Sequence, residues 1–478
     1  MNTPTALTPV HAASVALGAI LLGHALQISN GFYSPAALAV ALLAAACVLA
    51  GAARLPGRRG AEPIVAGVLT AGLISNILAL ATMPVGFYLA RPQPSDHPAF
   101  LAGLVAAALF ALLIAFVPRR AARWWFPALL ATHALLGVWL VHASPRPHID
   151  VMTVFRGALD ALRDRESPYS ITFPNIYDNE ALYGSGLVVG GRVQFGFPYP
   201  PLSLLMVVPA YALRLDVRYA ELLSLVAAAG WIGYSAKGRV APLAAAGLLF
   251  TPRIFFVLEQ AWTESLVLCW LGLMMYAARR GAVRVPAQPS WGLRGAALGL
   301  LVASKQHLAV ALLFTGWLRR DGEGRRETWG LLMAAGVAAL AVTLPFLLWD
   351  PSGFWRSVVL LQIREPFRID SLSLLSHWAR AGWQPTPGAL LAAPLAALGA
   401  GLALAWWRLP RSPAGLALAL GMAFFLLFLV SKKAFCNYYF LVIGLLLAAV
   451  AAASREFPLE PADAASPAPA LSRRREDG

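Results

Sequence analysis

The chain contains 478 residues, of which 59% are hydrophobic and 13% are charged, and its formal net charge is +15. Soluble domains carry about 25% charged residues, so this composition excludes an ordinary soluble globular protein. The positive charge does not indicate a nucleic-acid partner. Lys and Arg form short clusters between apolar runs, as the positive-inside rule predicts for membrane proteins.

Apolar runs rich in Leu, Ala and Val recur along the chain without alternating polar residues, so they predict helices rather than strands. A helix needs about 20 residues to cross the hydrocarbon core of a bilayer. We therefore expect an all-α, polytopic transmembrane bundle. The predicted spans, about fourteen, are 9–29, 35–53, 64–90, 99–117, 124–142, 218–235, 240–257, 262–279, 291–305, 308–318, 328–349, 388–407, 412–430 and 437–454.

Basic clusters in short loops set the predicted orientation. All of the basic clusters lie on the cytoplasmic side of the membrane if the N-terminus and the C-terminus are both cytoplasmic. We expect this orientation, in a multi-pass protein of the inner (plasma) membrane. Two longer polar stretches, 143–217 and 350–387, then lie outside the cytoplasm. The clusters are Arg54 to Arg59, Pro118 to Arg123, Lys237 to Arg239, Arg279 to Arg284, Arg319 to Arg326, and Arg408 to Arg411.

The apolar segment 200–214 does not fit this scheme, because it is short and a full crossing would place every later basic cluster outside. We expect it to be re-entrant or interfacial, which is tolerated where the backbone is buried in protein or lines a cavity. Three regions are predicted: a four-span N-terminal extension (1–117), a membrane module (118–454), and a disordered cytoplasmic tail (455–478).

The first outer stretch begins with a predicted amphipathic helix. Apolar residues recur at helical spacing from Val151 to Leu162, and a helix with one apolar face directly after a span lies along the membrane surface. Asp150 stands at its start, either as a simple cap of the helix N-terminus or as a functional carboxylate.

Several motifs follow in order on the predicted outer face. They are Ser167-Pro168-Tyr169, Phe197 to Pro201, Pro252 ahead of Gln260 and Glu264, a small-residue helix from Gly295 to Lys305, and Arg368-Ile369-Asp370-Ser371-Leu372. Together with Asp150 they resemble the GT-C superfamily of membrane glycosyltransferases. The resemblance is strongest to the polyprenol-phosphate-mannose-dependent mannosyltransferases of glycosyltransferase family 87, and it spans roughly 124 to 454.

The resemblance implies a GT-C-like bundle whose two outer loops carry interfacial helices. It implies transfer of a hexose, with mannose the first expectation, from a polyprenyl-phosphate sugar to an acceptor hydroxyl on a lipid or glycan. Asp150 would be the general base of an inverting displacement. Asp160, Asp164 and Glu166 are alternative bases, although their neighbours Arg163 and Arg165 favour solvated ion pairs.

Positive charge near the departing phosphate is the second requirement. Lys305 and His307 lie within a long apolar stretch, where ionisable groups are costly and usually functional, although Lys305 could instead extend to the interface. The predicted phosphate-binding residues are Lys305, His307, Arg253, Arg368, Lys432 and Lys433. Any of these could equally bind phospholipid head groups.

Sugar or acceptor contacts are expected from Gln260, Glu264, Tyr169, Tyr199 and Asp370. Gln260 and Glu264 are four residues apart, which places them on one face of a predicted helix, and Glu264 could alternatively pair with Arg253. The scattered histidines and cysteines give no metal signature. We therefore expect no cofactor, and the question of whether the protein binds a divalent metal stays open.

Two other functions compete with the transferase. A transporter or flippase of lipid-linked sugars needs access from both faces and often shows internal repeats, which are not evident here. A non-catalytic scaffold would leave the intramembrane Lys305 without a role.

Overall fold

The computed structural model describes residues 7–53, 62–118, 123–184, 186–279, 291–320 and 322–457. The predicted all-helical bundle is confirmed for these residues. The α-helices in this part of the chain are α1 (Pro9–Ser29), α2 (Pro35–Gly51), α3 (Glu62–Thr82), α4 (Pro98–Phe116), α5 (Trp125–Ala143), α6 (Asp150–Arg163), α7 (Pro201–Ala212), α8 (Arg218–Gly233), α9 (Val240–Leu249), α10 (Ile254–Glu259), α11 (Glu264–Ala277), α12 (Gly292–Ser304), α13 (Arg325–Trp349), α14 (Pro351–Phe354), α15 (Leu361–Arg364), α16 (Leu374–Arg380), α17 (Pro387–Arg408), α18 (Pro413–Leu429) and α19 (Cys436–Ala453).

Within the described ranges, seven helices are long and apolar enough to cross a membrane, namely α1, α3, α4, α5, α13, α17 and α19. Seven shorter apolar segments of 10–17 residues accompany them. Several helices begin at a Ser-Pro or Thr-Pro pair, such as Ser412-Pro413, where the Ser412 hydroxyl accepts from the Gly415 amide at 3.3 Å. Proline at the first helical position costs no hydrogen bond, so these pairs mark helix starts. Most of the predicted tail, 458–478, lies outside the described residues.

Two predicted spans have the wrong boundaries. The span 64–90 is helical only to Thr82, and the apolar residues after it form a loop. The span 240–257 is interrupted, because α9 ends at Leu249 and Arg253 adopts a left-handed conformation (φ 69°) before the short α10. A second left-handed residue, Ala261 (φ 53°), separates α10 from α11.

The apolar stretch 291–318 folds back on itself at Lys305. Helix α12 ends at Ser304, Lys305 is extended (φ −157°), and a 3₁₀ helix runs from Gln306 to Leu318. The carbonyl of Leu318 accepts from the Arg294 guanidinium at 2.6 Å, so the second arm returns to the end where α12 begins. Lys305 therefore lies at the tip of a helical hairpin.

One end of the bundle is basic. There, arginines donate to carbonyls at helix C-termini, where cations are favoured by the helix dipole. The Arg279 guanidinium donates to the carbonyl of Tyr234 at 3.3 Å and that of Arg320 to the carbonyl of Ala277 at 3.1 Å. We call this the basic end and the other the loop end.

The loop end gathers α6, α7, α10, α16 and the connections between the long helices. Helix α7 follows Pro198, whose carbonyl accepts from Gln306, and its Tyr211 contacts Asp160 of α6. Both ends of α7 therefore lie at the loop end, which is the arrangement expected of a segment that does not cross.

Helix α6 is amphipathic as predicted. Val151, Val154, Phe155, Ala158 and Leu159 are buried on its apolar face. Phe155 packs against Phe197, with ring centroids 5.5 Å apart. A small antiparallel sheet in strand order β1-β3-β2 follows, made of β1 (Phe173–Pro174), β2 (Val188–Val189) and β3 (Arg192–Val193).

Candidate active site

A cavity of about 390 Å³ opens at the loop end. This volume lies within the usual range for small-molecule sites. Seven of the residues predicted from sequence line it: Asp150, Tyr199, Gln260, Lys305, His307, Arg368 and Lys433. The fold therefore brings together groups that are up to 283 positions apart in the sequence, counted from Asp150 to Lys433.

Asp150 is the first residue of α6, and its carboxylate faces the cavity. The hydroxyl of Tyr177 donates to Oδ1 at 3.4 Å and that of Tyr183 to Oδ2 at 3.3 Å. Burial raises the pKa of the Asp150 carboxyl above its ordinary value, while the charge of Lys433 and the two hydroxyls act in the opposite direction. Asp150 is thus a desolvated carboxylate held by two tyrosines, which suits a proton acceptor better than a cap alone.

Lys305 is buried and forms an ion pair with Glu264. Asn437 donates its amide to the same carboxylate oxygen at 3.0 Å. The alternative pairing of Glu264 with Arg253 is therefore wrong. The expectation that Gln260 and Glu264 share a helix face is also wrong, because the left-handed Ala261 ends one helix before Glu264 begins the next.

Two further cations line the cavity, each beside a carboxylate. Lys433 donates to Glu365 at 2.7 Å, and Arg368 forms a bidentate pair with Asp370 at 2.6 and 2.8 Å. Burial opposes the charge of Lys433, but Glu365 outweighs this effect and holds the pKa of Lys433 above its ordinary value. Lys433 therefore carries its positive charge near neutral pH.

Four predicted residues do not line the cavity but support groups that do. Asp370 orients Arg368, and Glu264 holds Lys305. Tyr169 is fully buried and donates its hydroxyl to the carbonyl of Tyr199 at 3.1 Å. The ammonium of Lys432 is occupied by the carbonyls of Ile363 and Glu365 at 2.9 and 2.6 Å.

Arg253 is placed elsewhere. It is buried, donates to the side chain of Gln27 at 2.8 Å and to the carbonyl of Pro84 at 2.5 Å, and does not line the cavity. These contacts join the start of α10 to α1 and to the loop after α3. His307 does line the cavity, but its ring packs edge-on against Phe424 at 4.9 Å.

Other residues line the cavity that were not predicted from the sequence. Phe87 and Tyr88 lay inside a predicted span, and Asn30 and Phe32 belong to the predicted N-terminal extension, to which no function was assigned. A signal was present, because Glu259 is an acid within an apolar region and it binds the loop that carries Phe87. Tyr177, Tyr183, Glu365 and Asn437 are among the other polar lining residues that the motifs did not indicate.

The alternative bases Asp160, Asp164 and Glu166 do not line the cavity. Asp160 and Asp164 form exposed ion pairs with Arg163, as the sequence indicated. Among the residues that the structure describes, no three His, Cys, Asp or Glu side chains are grouped to hold a metal ion.

No protein-family model and no curated protein matches the chain. A crystal structure of ArnT from Cupriavidus metallidurans bound to undecaprenyl phosphate matches with a TM-score of 0.43 at 15% sequence identity. The match covers 70% of this chain and 60% of that chain, so a large part of that protein has no counterpart here. Similarity at this level assigns neither family nor activity, so we infer the function from the groups that line the cavity.

Proposed function

We propose that the chain is a membrane glycosyltransferase that moves a hexose from a polyprenyl-phosphate sugar to an acceptor hydroxyl. One observation carries this proposal: the desolvated carboxylate of Asp150 shares a cavity with the cations Lys305, Lys433 and Arg368. A transfer from a sugar phosphate needs both parts, a base for the entering hydroxyl and positive charge for the leaving phosphate. The motifs that resemble the GT-C superfamily support the same reaction.

In the proposed step, the acceptor oxygen attacks the anomeric carbon of the donor and its proton passes to Asp150. The bond from that carbon to the phosphate oxygen breaks, and the polyprenyl phosphate departs with the electron pair. Lys305, Lys433 and Arg368 stabilise the charge that builds on the phosphate. A single displacement inverts the anomeric centre and needs one base rather than the two carboxylates of glycosidases.

The cations are held ready by their carboxylate partners. Glu264, Glu365 and Asp370 hold Lys305, Lys433 and Arg368 in place, so little reorganisation is needed when a phosphate arrives. The ring of Tyr199 lies 5.9 Å from the Lys305 ammonium and that of Tyr438 lies 5.7 Å away, which adds cation–π stabilisation. Mannose is the first donor to test, given the family that the motifs resemble.

The transferase is favoured over a transporter because the cavity-lining residues come from the loop end. A transporter that alternates its access places its site between two repeats near the bilayer midplane. We assign the loop end to the outer face of the inner membrane, because the basic end matches the cytoplasmic side of the positive-inside rule.

The test is incorporation of label from polyprenyl-phosphate [14C]mannose by purified protein in lipid nanodiscs. We expect wild-type protein to transfer or hydrolyse the labelled sugar and Asp150→Asn to lose this activity. Release of no sugar from any polyprenyl-phosphate hexose tested would refute the proposal.

A further inference from the structure

We propose that the acceptor is a neutral saccharide and that the loops of the first four helices hold it beside Asp150. This inference rests on the proposed function, since it identifies the second substrate of the same cavity. It gives residues 1–117 a direct part in the chemistry, where the sequence alone assigned them none.

The first observation is the composition of one cavity wall, which we call the N-terminal wall: Asn30, Phe32, Phe87 and Tyr88. Phe87 packs against Phe256 with ring centroids 4.6 Å apart, and Trp262 extends the aromatic surface beyond it. Aromatic rings offer an apolar surface to the C–H face of a sugar ring. Asn30 and Gln260, which both line the cavity, add amide groups that can bind hydroxyls. A mainly apolar surface with a few polar groups is typical of small-molecule sites.

The second observation is that this wall is fixed relative to Asp150. The buried carboxylate of Glu259 accepts from the amides of Phe87 at 2.6 Å and Tyr88 at 2.9 Å, and from the hydroxyl of Ser144 at 2.9 Å. The Tyr88 hydroxyl donates to the carbonyl of His148 at 2.6 Å, two residues before Asp150. A surface held this firmly can present a hydroxyl to a base in one geometry.

The third observation is the distribution of charge. The pKa of Tyr88 is raised by burial and by the carboxylates of Glu259 and Asp150, so the charges that act on this ring are negative. Each of the cations that line the cavity, Lys305, Lys433 and Arg368, is neutralised by a paired carboxylate, and Arg253 does not line the cavity. An anionic acceptor would be repelled at the N-terminal wall, whereas a neutral polyol would not.

The experiment uses full-length protein in nanodiscs, a polyprenyl-phosphate [14C]hexose donor and two kinds of acceptor probe. One kind is a set of neutral octyl glycosides (glucoside, galactoside, mannoside and lactoside). The other is anionic phosphatidylglycerol in vesicles. We expect transfer to at least one octyl glycoside and none to phosphatidylglycerol.

The variant Phe87→Ala separates the two substrates. We expect it to raise the KM for the octyl glycoside about 3- to 10-fold, the loss that one aromatic contact implies. The KM for the donor, and the rate of donor hydrolysis without acceptor, should stay as in wild type. Phe116→Ala is the matched control, because Phe116 is 73% exposed on α4 of the same segment, beside the basic end.

Three outcomes overturn the inference. Transfer to phosphatidylglycerol in preference to every octyl glycoside would show an anionic acceptor. Donor hydrolysis without transfer to any octyl glycoside would exclude a saccharide acceptor while leaving the proposed function intact. Equal changes of donor and acceptor KM in Phe87→Ala would show that the wall does not select the acceptor. If wild-type protein neither hydrolyses nor transfers the sugar, the proposed function fails as well.

Discussion

The ammonium group of Lys305 and the amide of Asn437 both donate to one carboxylate oxygen of Glu264. These groups lie at the tip of the 291–318 hairpin, in the first turn of α19 and at the start of α11. Three helix ends therefore meet at one buried ion pair beside the cavity. Since breaking such a pair leaves an uncompensated charge, the stability of the fold and the proposed chemistry depend on the same residues.

We expect Lys305→Met to destabilise the protein by about 3–5 kcal/mol, because the Glu264 carboxylate would stay buried without its counter-ion. The double variant Lys305→Met/Glu264→Leu should recover most of this loss, since an apolar replacement of both partners is often neutral. Both variants should lose sugar transfer, because the charge for the phosphate is missing. Thermal unfolding in detergent and the transfer assay measure the two effects. Recovery of transfer in the double variant would show that Lys305 is only structural.

Asp150→Asn should lower transfer about 10²- to 10⁴-fold, the range that general bases contribute. Asparagine keeps the size of the side chain but cannot accept the proton of the acceptor hydroxyl. Asp160→Asn is the matched control on the same helix, where Asp160 is exposed and bonded to Tyr211 and Arg163. Equal loss in both variants would indicate damage to α6 rather than loss of a base.

The rate should fall on the acid side at a pH above the ordinary aspartate range, because burial raises the pKa of Asp150 and the base must be unprotonated to act. The Tyr183 hydroxyl donates to the carboxylate and so lowers that pKa. Tyr183→Phe should therefore move the acid limb of the kcat profile to higher pH. Tyr211→Phe, whose hydroxyl contacts Asp160, should not move it. A shift of the limb to lower pH in Tyr183→Phe would contradict the assignment.

Gly86→Ala tests how the N-terminal wall is positioned. A Cβ atom at Gly86 would lie 2.4 Å from Oε2 of Glu259, so the loop or the buried carboxylate must move. We expect a loss of stability and a higher KM for the acceptor, with the donor KM unchanged. Gly67→Ala is the control, because its Cβ would meet nothing within 4 Å and alanine favours the helix. Identical acceptor kinetics in Gly86→Ala and wild type would show that this clamp has no role in binding.

Much of the fold followed from composition. Apolar runs predicted the long helices, and the periodicity of Val151 to Leu162 predicted the buried face of α6. The prediction failed where the chain turns inside an apolar run. Hydropathy does not register the left-handed conformations of Arg253 and Ala261, so Gln260 and Glu264 were wrongly placed on one helix face. Apolar content likewise extended a predicted span over Phe87 and Tyr88, which instead line the cavity.

The site was predictable where a charge stood in an apolar setting. Lys305 was identified on that ground, Lys433 was identified because it breaks the positive-inside pattern, and both line the cavity. Their pairing with carboxylates was not predicted, because Glu264 lies 41 residues from Lys305 along the chain and Glu365 lies 68 residues from Lys433. Pairing across such separations is set by tertiary packing, which no local pattern encodes. Tyr177 and Tyr183 were missed for the same reason.

The orientation of the bundle is testable by labelling cysteines with a membrane-impermeant maleimide in intact cells. Cys47, Cys269 and Cys436 are first replaced. Asp178→Cys, exposed in the outer stretch, should then label from outside, because the loop end is assigned to the outer face.

Arg411→Cys, exposed between α17 and α18 beside the basic end, is the matched position on the other side. It should label only after the membrane is permeabilised. The reverse pattern would place Asp150 and the donor phosphate on the cytoplasmic side. A polyprenyl-phosphate donor would then have to be used at the inner leaflet, and the proposed outer-face reaction would be excluded even if the transfer chemistry were retained.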